Sequence, residues 1–446
     1  MNEELIYDLT NTAEDIDVIL RNLVSTYKEG DSGKQYALKI ITEEENKKIV
    51  TDKVVGENVG KDAEIFNNYT DNKATGYQSH AEGSYTQAIN DQSHAEGLST
   101  KAEGYQSHAE GNASKALGDV SHSEGQSTIV YYISGSVAGH AEGFYTAVAG
   151  AAAHAEGNYT IAYGNNSHAE GQSNSSYQSL LNDTGEIKVN VQEAWITSNF
   201  GMAYGDHSHS EGQNCLAYGQ SSHSEGEACR ALGDDSHAEG EHTTATGSAA
   251  HSEGNNTQAI GGQSHAEGSG TSAVGSYSHA EGYGTGAIGN YSHAEGDQSA
   301  ANGTTSHAEG FKCGAIGNYS HAEGYETAAM GDYSHASGLG TISYKNQFVI
   351  GKYNEADTES KYAFIIGNGE DKNNRSNAFT IDWNGKISYQ GNSIAISNDG
   401  VVFGIGEEEV TFSILDLPNL YFGVNTLHLA PRSIANTLTM GIRIGK

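Results

Sequence analysis

Proline, cysteine, tryptophan and basic residues are all scarce in this chain of 446 residues. It has 2 prolines, 3 cysteines and 2 tryptophans, and its 23 Lys and Arg face 57 Asp and Glu, which gives a formal net charge of −34. The acidic excess argues against nucleic acid and anionic membranes as partners. No apolar run is long enough for a transmembrane helix, so we expect no membrane insertion. The first residues also lack the basic and apolar regions of a signal peptide.

The three cysteines, Cys215, Cys229 and Cys313, lie at one position of a 14-residue repeat, where other copies of the repeat carry Thr or Ser. We therefore predict that they are small buried residues. Cys215 and Cys229 are one repeat apart, so a disulfide between them is geometrically conceivable, although the sequence does not imply it.

Glycine and histidine are abundant and occur in a fixed order. The pentapeptide Ser-His-Ala-Glu-Gly, or a near copy, recurs with a period of 14 residues. Its histidines are His80, His94, His108, His122, His140, His154, His168, His209, His223, His237, His251, His265, His279, His293, His307, His321 and His335. A short period repeated this often predicts a stacked solenoid and not an enzyme core. We therefore predict an all-β protein in which residues 73–340 form a parallel β-roll of 14-residue coils.

The columns of the repeat predict which side chains face inward. Each coil should hold two short strands, Ser-x-Ala-x-Gly and Thr-x-Ala-x-Gly, whose alternate residues share a face. Ser, Thr, Ala and Gly fit the narrow interior of so short a coil, whereas His and Glu must point outward. Nine residues after His, a second outward column carries apolar residues such as Ile89, Leu117, Ile260, Ile288 and Ile316. We expect this column to meet neighbouring subunits, which makes the protein an obligate oligomer.

The repeat is flanked and interrupted by other segments. Residues 1–30 contain the one predicted helix, whose apolar stripe is Ile16, Ile19, Leu20 and Leu23. We assign this helix to attachment, residues 31–72 to a β-rich connector, 341–391 to a β neck and 392–446 to a C-terminal tip or cap domain. In the tip, strands are expected at Val401–Ile405, Val410–Leu415 and Leu438–Ile444, and a turn is expected before it at Trp383–Gly385.

Two insertions break the repeat, near residues 126–139 and 172–205. Insertions in a solenoid leave the stack as lateral loops, where binding often occurs. Tyr131 and Tyr132 in the first insertion and Trp195 in the second are therefore candidate binding residues. The alternative is that each insertion is a loop or hairpin that braces a neighbouring subunit.

The pairing of His with the Glu two residues later is the most regular chemical pattern of the chain. It includes His80 with Glu82, His94 with Glu96, His265 with Glu267 and His293 with Glu295. We interpret the column as a structural ladder of His–Glu hydrogen bonds, and we expect the carboxylates to raise the histidine pKa values unless burial offsets this. Imidazole and carboxylate are also ligands of zinc, iron and nickel, but evenly spaced sites do not suit a selective centre.

One further arrangement, His207-Ser208-His209, is a candidate metal motif, since some trimeric phage fibres hold iron with such a triplet. Because His209 already belongs to the ladder, we favour a polar turn beside a repeat histidine. We therefore predict no metal and no other cofactor.

The coils resemble the head repeats of trimeric autotransporter adhesins (YadA-like), whose strands have the form Ser-x-Ala-x-Gly at the same spacing. The resemblance covers about 260 residues and implies a homotrimeric parallel β-roll. The His–Glu version is similar to repeats in tail-fibre and baseplate-associated proteins of phages that infect low-GC Gram-positive bacteria. The segments that begin at Phe348, Phe364 and Asn377 are similar to the segments downstream of such repeats in phage tail proteins.

The resemblance implies a non-enzymatic, trimeric tail fibre or baseplate-associated protein of a phage or tailocin. Its partners would be other baseplate or tail proteins and a host-surface glycan or protein. The protein would be made in the host cytoplasm and released by lysis as part of the particle. Two alternatives remain open: a polysaccharide depolymerase tailspike, and a purely structural tail component that never contacts the host.

Overall fold

A computed structural model describes residues 60–61, 63–66, 72–132, 138–174, 181–186 and 201–389. It also describes the backbone of seven strands outside these ranges, namely Leu38–Ile41, Lys48–Thr51, Asn392–Ser397, Gly400–Ile405, Glu408–Ser413, Leu429–Ile434 and Thr437–Ile442. Every regular element in these residues is a β-strand. The helix predicted over residues 1–30 lies outside the described residues. No helix in the described part of the chain has the length and apolar character needed to cross a membrane.

The repeat region is a parallel β-solenoid with 14-residue coils, as predicted. Each coil has a strand that starts at the repeat histidine and a shorter strand of two residues, and each strand pairs in parallel with its equivalents in the next coils. His237, for example, is in register with His223 on one side and His251 on the other. The chain divides into two compact units, Met1–Gly157 with Leu180–Lys188, and Asn158–Ser179 with Val189–Lys446.

In the first unit, three strands of the connector precede the coils. Leu38–Ile41 pairs antiparallel with Lys48–Thr51, which pairs antiparallel with Glu64–Phe66, which in turn pairs parallel with the first histidine strand. The histidine strands are His80–Ser84, His94–Leu98, His108–Asn112, His122–Gln126, His140–Phe144 and His154–Ala155. The short strands are Lys73–Ala74, Gln87–Ala88, Lys101–Ala102, Lys115–Ala116, Ile129–Val130 and Ala147–Val148.

The second unit repeats the same coil. Its histidine strands are His168–Ala169, His209–Gln213, His223–Glu227, His237–Glu241, His251–Asn255, His265–Ser269, His279–Tyr283, His293–Asp297, His307–Phe311, His321–Tyr325 and His335–Leu339. Its short strands are Ile161–Ala162, Met202–Ala203, Leu216–Ala217, Arg230–Ala231, Thr244–Ala245, Gln258–Ala259, Ser272–Ala273, Gly286–Ala287, Ala300–Ala301, Gly314–Ala315, Ala328–Ala329 and Ile342–Ser343.

After the coils, the second unit changes to longer strands. Phe348–Lys352 continues the parallel stack and pairs with Tyr362–Asn368, from which Asn377–Asp382 and Ile387–Tyr389 continue antiparallel. The predicted turn at Trp383–Gly385 is present, and the Gly385 N–H donates to the Asp382 carbonyl at 3.0 Å. The three strands expected in the tip correspond to Gly400–Ile405, Glu408–Ser413 and Thr437–Ile442.

Small side chains fill the interior because the two strands of a coil lie close together. The alanines of both strands are fully buried, for example Ala238 and Ala245 at 0% exposure. Where a serine precedes the histidine it is buried as well, and in most of these coils its hydroxyl donates to the backbone carbonyl three residues earlier, at 2.7 Å from Ser107 to Gly104. This bond satisfies a polar group inside the coil and closes the turn. The prediction of inward Ala, Ser and Thr is confirmed.

The glycine of the histidine strand was predicted to face inward with them, and this was wrong. Gly268 is exposed and has a φ of +101°, and a Cβ on it would lie 2.2 Å from the carbonyl oxygen of Gly282 in the next coil. A side chain here would therefore strike the neighbouring backbone, and the backbone angle itself favours glycine. The role of this recurring glycine is to turn the strand while the coils remain in contact.

In several coils, the turn before the histidine is braced against the preceding coil. An Asp or Asn three residues before the histidine accepts a backbone N–H from the preceding coil, as when the Tyr77 N–H donates to Asp91 Oδ1 at 2.8 Å. The next residue has a positive φ in many coils, such as 57° at Gln92 and Val120. Left-handed backbone at a β-branched valine is unfavourable alone, so the inter-coil hydrogen bonds must impose it.

Two consecutive coils depart from the interior pattern in a compensated way. Val130 and Val148 occupy the alanine column of the short strands and are 2% and 0% exposed. Between them, the position that usually carries serine is Gly139, and a Cβ there would lie 2.8 Å from Val130 Cγ1 and 2.9 Å from Val148 Cγ1. The glycine therefore provides the volume that the two valines need.

We predict that Gly139→Ser, which restores the usual residue of the repeat, lowers the free energy of unfolding by about 1–3 kcal/mol, because it overpacks these coils. The triple variant Gly139→Ser, Val130→Ala, Val148→Ala, which restores the whole column, should regain most of that loss. Urea unfolding followed by circular dichroism measures both. If Gly139→Ser is as stable as the wild type, the three residues do not form one packing unit.

Candidate functional site

The repeat histidines form a stacked column on the outer face of each unit. The rings of His265 and His279 are 4.8 Å apart with an angle of 3° between their planes, and the rings of His94 and His108 are 4.6 Å apart at 8°. Each ring is about one-third exposed, as at His108 with 34%. The spacing equals the separation of neighbouring strands, because in-register pairing places each imidazole directly over the next. The predicted outward orientation of His and Glu is confirmed.

The glutamates form a second column beside the rings, and at ladder histidines such as His108, His209 and His251, Nε2 has no hydrogen bond to a carboxylate of its own chain. His209 Nε2 lies 3.6 Å from Glu211 of its own coil and 3.8 Å from Glu170 of the preceding one. His307 Nε2 similarly lies 3.5 Å from Glu295 and 3.9 Å from Glu309. These distances exceed those of a hydrogen bond. In coils such as these two, the histidine Nε2 is therefore placed between two carboxylates without a direct bond to either.

Burial offsets the expected rise in the histidine pKa, which was the stated exception to that prediction. Burial lowers the pKa of His94 from its ordinary value of 6.5, the neighbouring His80 lowers it further, and the attraction of Glu96 and Glu82 does not compensate. Burial is likewise the largest cause of the lowered pKa of His108, His140, His209, His237, His265, His293, His321 and His335. A charged imidazole would lie 4.8 Å from the next charged ring, so the stack favours the neutral form.

Carboxyls along the glutamate column share protons in alternation. Hydrogen bonds with Glu267 and Glu295 raise the pKa of Glu281 to about 7. A hydrogen bond with Glu281 lowers the pKa of Glu267, and the same neighbour lowers that of Glu295. Farther along, the pKa of Glu309 is raised to about 7 by hydrogen bonds with Glu295 and Glu323. From Glu267 to Glu323 the carboxyls therefore alternate between proton donor and ionised acceptor, which removes the repulsion between like charges at this spacing.

The ladder brings potential metal ligands together, but its geometry does not favour an ion shared by several histidines. Ligand atoms of His140, Glu142 and His154 lie within 4.8 Å of one another, as do those of His307, Glu309 and His321. The lone pair of an imidazole nitrogen lies in the ring plane. Because the planes of His140 and His154 are within 5° of parallel and 4.7 Å apart, their lone pairs run side by side and do not converge on one ion.

The candidate motif His207-Ser208-His209 is split between two environments. His207 is exposed in the turn, with a φ of 59°. His209 belongs to the ring stack, where its ring is 4.8 Å from that of His223. Ser208, between them, is buried at 1% exposure. The turn interpretation agrees with this arrangement.

Of the three candidate binding residues in the insertions, the structure describes Tyr131 and Tyr132, and these two differ in exposure. Tyr131 is only 4% exposed, because part of the second insertion packs on it: a Cβ on Gly185 would lie 2.6 Å from the Tyr131 ring. Leu181 of the same segment is buried at 1%. Tyr132 is 57% exposed, and Trp195 lies outside the described residues. The described part of this insertion therefore braces its own chain.

The cysteines and the apolar column lie in contrasting environments. Cys215, Cys229 and Cys313 are buried, as predicted, and none is bridged. The apolar column nine residues after His is partly exposed in the second unit, at 41% for Ile260, 51% for Ile288 and 43% for Ile316.

A column of tyrosines in the turn two residues before His was missed by the sequence analysis. Tyr277, Tyr291, Tyr319 and Tyr333 are 53–59% exposed. Tyr277 stacks on Tyr291 at 5.0 Å, and Tyr319 stacks on Tyr333 at 5.2 Å. The recurring tripeptide Tyr-Ser-His was the signal that could have found them.

The shifted pKa values of the histidines and of the glutamates change the stability of the fold with pH in opposite directions. The lowered histidine pKa contributes stability that is full above pH 6.5 and is lost as the pH falls below that value. The raised glutamate pKa contributes stability that is full below 4.5 and is lost as the pH rises through about 7. A substitution at one glutamate isolates the second effect, since the histidines are common to both proteins.

We predict that Glu281→Gln matches the wild type in thermal stability near pH 4.5 and becomes increasingly more stable than it as the pH rises to 8. The amide retains an N–H donor that a carboxyl loses above its pKa of about 7. Glu267→Gln, the control, replaces an ionised acceptor and should be less stable than the wild type at pH 6. Melting temperatures from circular dichroism test this, and a pH-independent difference for Glu281→Gln would contradict proton sharing.

The coils match a known family model, described as the YadA head domain repeat, over residues 141–167, 231–250 and 252–278. No curated protein sequence matches the chain. The matched residues include histidine strands and their glycine turns. The matched coils are therefore similar to YadA head repeats, and they are built as a parallel β-solenoid.

Proposed function

We propose that the protein is a non-enzymatic homotrimer that serves a phage or tailocin as a tail fibre or baseplate-associated protein in attachment to the host surface. The solenoid built from YadA-like head repeats is the observation that carries this proposal. Such repeats typically belong to trimeric, adhesin-like proteins. Three parallel copies would also give avidity from weak individual contacts.

Two outward columns are available for contacts between the three copies. The apolar column is interrupted by Glu103, Thr246 and Asn302. The His–Glu ladder has nearly the same residues in every coil, as expected for a column that meets identical columns of other copies. In the described residues, Nε2 atoms of the ladder, such as those of His108, His251 and His265, are buried and have no hydrogen-bond partner. Those atoms are already enclosed by their own chain, but each imidazole keeps an exposed part, as at His108 with 34%. We therefore favour the ladder as the seam, in which a second copy covers the exposed part of each ring.

We predict a particle mass of three times 47.0 kDa in sedimentation equilibrium. In the same assembly, Glu281→Cys should form disulfide-linked chains under mild oxidation, because a residue at the seam lies near its own copies. Ile288→Cys, in the apolar column, should not. The natural cysteines give little background because they are at most 1% exposed. Cross-linking by Ile288→Cys alone would assign the seam to the apolar column, and a monomer mass would contradict the trimer.

The particle assignment has its own test. Antibodies against the full chain, applied to particles released by induction of the bacterium that encodes it, should label the tail end in immunogold electron microscopy. Particles depleted of the protein should adsorb to host cells at least about tenfold less. Label on the cell envelope would contradict the assignment. Normal adsorption would favour a purely structural component, and cleavage of host polysaccharide by the purified trimer would favour the depolymerase.

A further inference from the structure

The apolar column and the tyrosine column are interrupted in the same coil. Where neighbouring coils carry Ile288 and Ile316, this coil has Asn302, and where they carry Tyr291 and Tyr319, it has Thr305. Asn302 and Thr305 are exposed. The smaller side chains leave a notch between two tyrosine rings, with an amide and a hydroxyl on its floor.

The walls of the notch are aromatic faces. Tyr291 is within 4° of parallel to Tyr277, and Tyr319 is within 1° of parallel to Tyr333. In each pair, one face of the inner ring is covered by its stacking partner. The remaining faces of Tyr291 and Tyr319 border the coil of Thr305. Two steps of stacked strands, each ~4.8 Å, place these rings about 10 Å apart.

Hydrogen bonds between coils hold the walls in place. The Ser276 N–H donates to Asn290 Oδ1 at 3.0 Å, and the Thr304 N–H donates to Asn318 Oδ1 at 2.9 Å. The Thr305 N–H donates to the Asn290 carbonyl at 2.8 Å, which ties the floor to the Tyr291 turn. A site whose spacing is set by the backbone loses little entropy on binding.

The distance of about 10 Å between the rings of Tyr291 and Tyr319 suits some kinds of ligand better than others. A flat aromatic ring in contact with both walls needs about 7 Å, twice the ~3.5 Å contact distance of carbon atoms. A puckered pyranose, which carries C–H groups on both faces, needs roughly 9 Å on the same basis. The C–H groups of a sugar are attracted to the negative faces of aromatic rings, while its hydroxyls can bond to the amide and hydroxyl below. The net charge of −34 disfavours an anionic polymer.

We propose that the notch formed by Tyr291, Asn302, Thr305 and Tyr319 is a binding site for one pyranose unit of a neutral polysaccharide. The biological setting of this inference rests on the proposed attachment function, since a host-surface glycan would be the source of the sugar. The site uses no residue of the ladder. It also differs from the candidate residues of the two insertions.

The test is saturation-transfer NMR of the full-length protein with maltohexaose, cellohexaose and the hexamer of N-acetylglucosamine. At least one of the three should receive magnetisation at its ring C–H protons. Thr305→Tyr should abolish the transfer, because a fifth tyrosine completes the stack and fills the notch. The fold should tolerate this change, since tyrosine already occupies the same left-handed position in four coils.

Tyr291→Ala and Tyr319→Ala should each weaken binding at least about tenfold, since each removes one wall. Tyr277→Ala is the matched control: it removes an exposed tyrosine of the same column but leaves both walls, and should bind within about twofold of the wild type. The proposal is overturned if none of the three sugars binds, or if Thr305→Tyr binds as the wild type does. Immunogold labelling and the adsorption assay test the attachment function independently of the notch. A failure of the sugar-site proposal is therefore distinguishable from a failure of the attachment function.

Discussion

In-register stacking of the coils at the separation of β-strands is the constraint on which the rest of this structure depends. It places each side chain over its equivalent in the next coil, so a residue type must be compatible with a copy of itself at about 4.8 Å. Alanine meets this requirement inside because a methyl group packs on a methyl group. The glycine of the histidine strand meets it differently, since any side chain would contact the backbone above.

The histidines and glutamates meet the same requirement because many of them are uncharged in the folded chain. A column of protonated imidazoles or of ionised carboxylates at this spacing would repel itself over the whole length of each unit. The histidines respond by remaining neutral and stacking their rings. The glutamates respond by alternating between proton donor and acceptor. The formal charge of the chain therefore overstates the charge of its folded surface, since several carboxyls hold a proton near neutral pH.

The sequence predicted the solenoid, its coil length and its interior because those properties follow from periodicity alone. It did not predict the exposed glycine at the end of the histidine strand, whose position depends on backbone angles that alternation ignores. The sequence left the direction of the histidine pKa dependent on burial, because residue types indicate attractive partners, whereas burial and ring spacing require coordinates. Tyr131 was taken for an accessible residue because the packing of Gly185 on its ring joins segments more than fifty positions apart in the chain.

Departures from the repeat fall into two kinds, and the distinction bears on function. Val130 and Val148 add volume to the interior of two consecutive coils, and Gly139 compensates because it has no side chain, so this departure is resolved within the fold. Asn302 and Thr305 remove bulk from the surface of their coil, and in the described residues no larger neighbour fills the space they leave. Burial energetics do not require that change, because the interior of the same coil, with Ala294 and Ala301 at 0% exposure, keeps the standard pattern. A repeat that is constrained at every interior position is free to vary at its turns. Packing therefore does not require the paired change at this turn, whereas the proposed sugar site would use both residues.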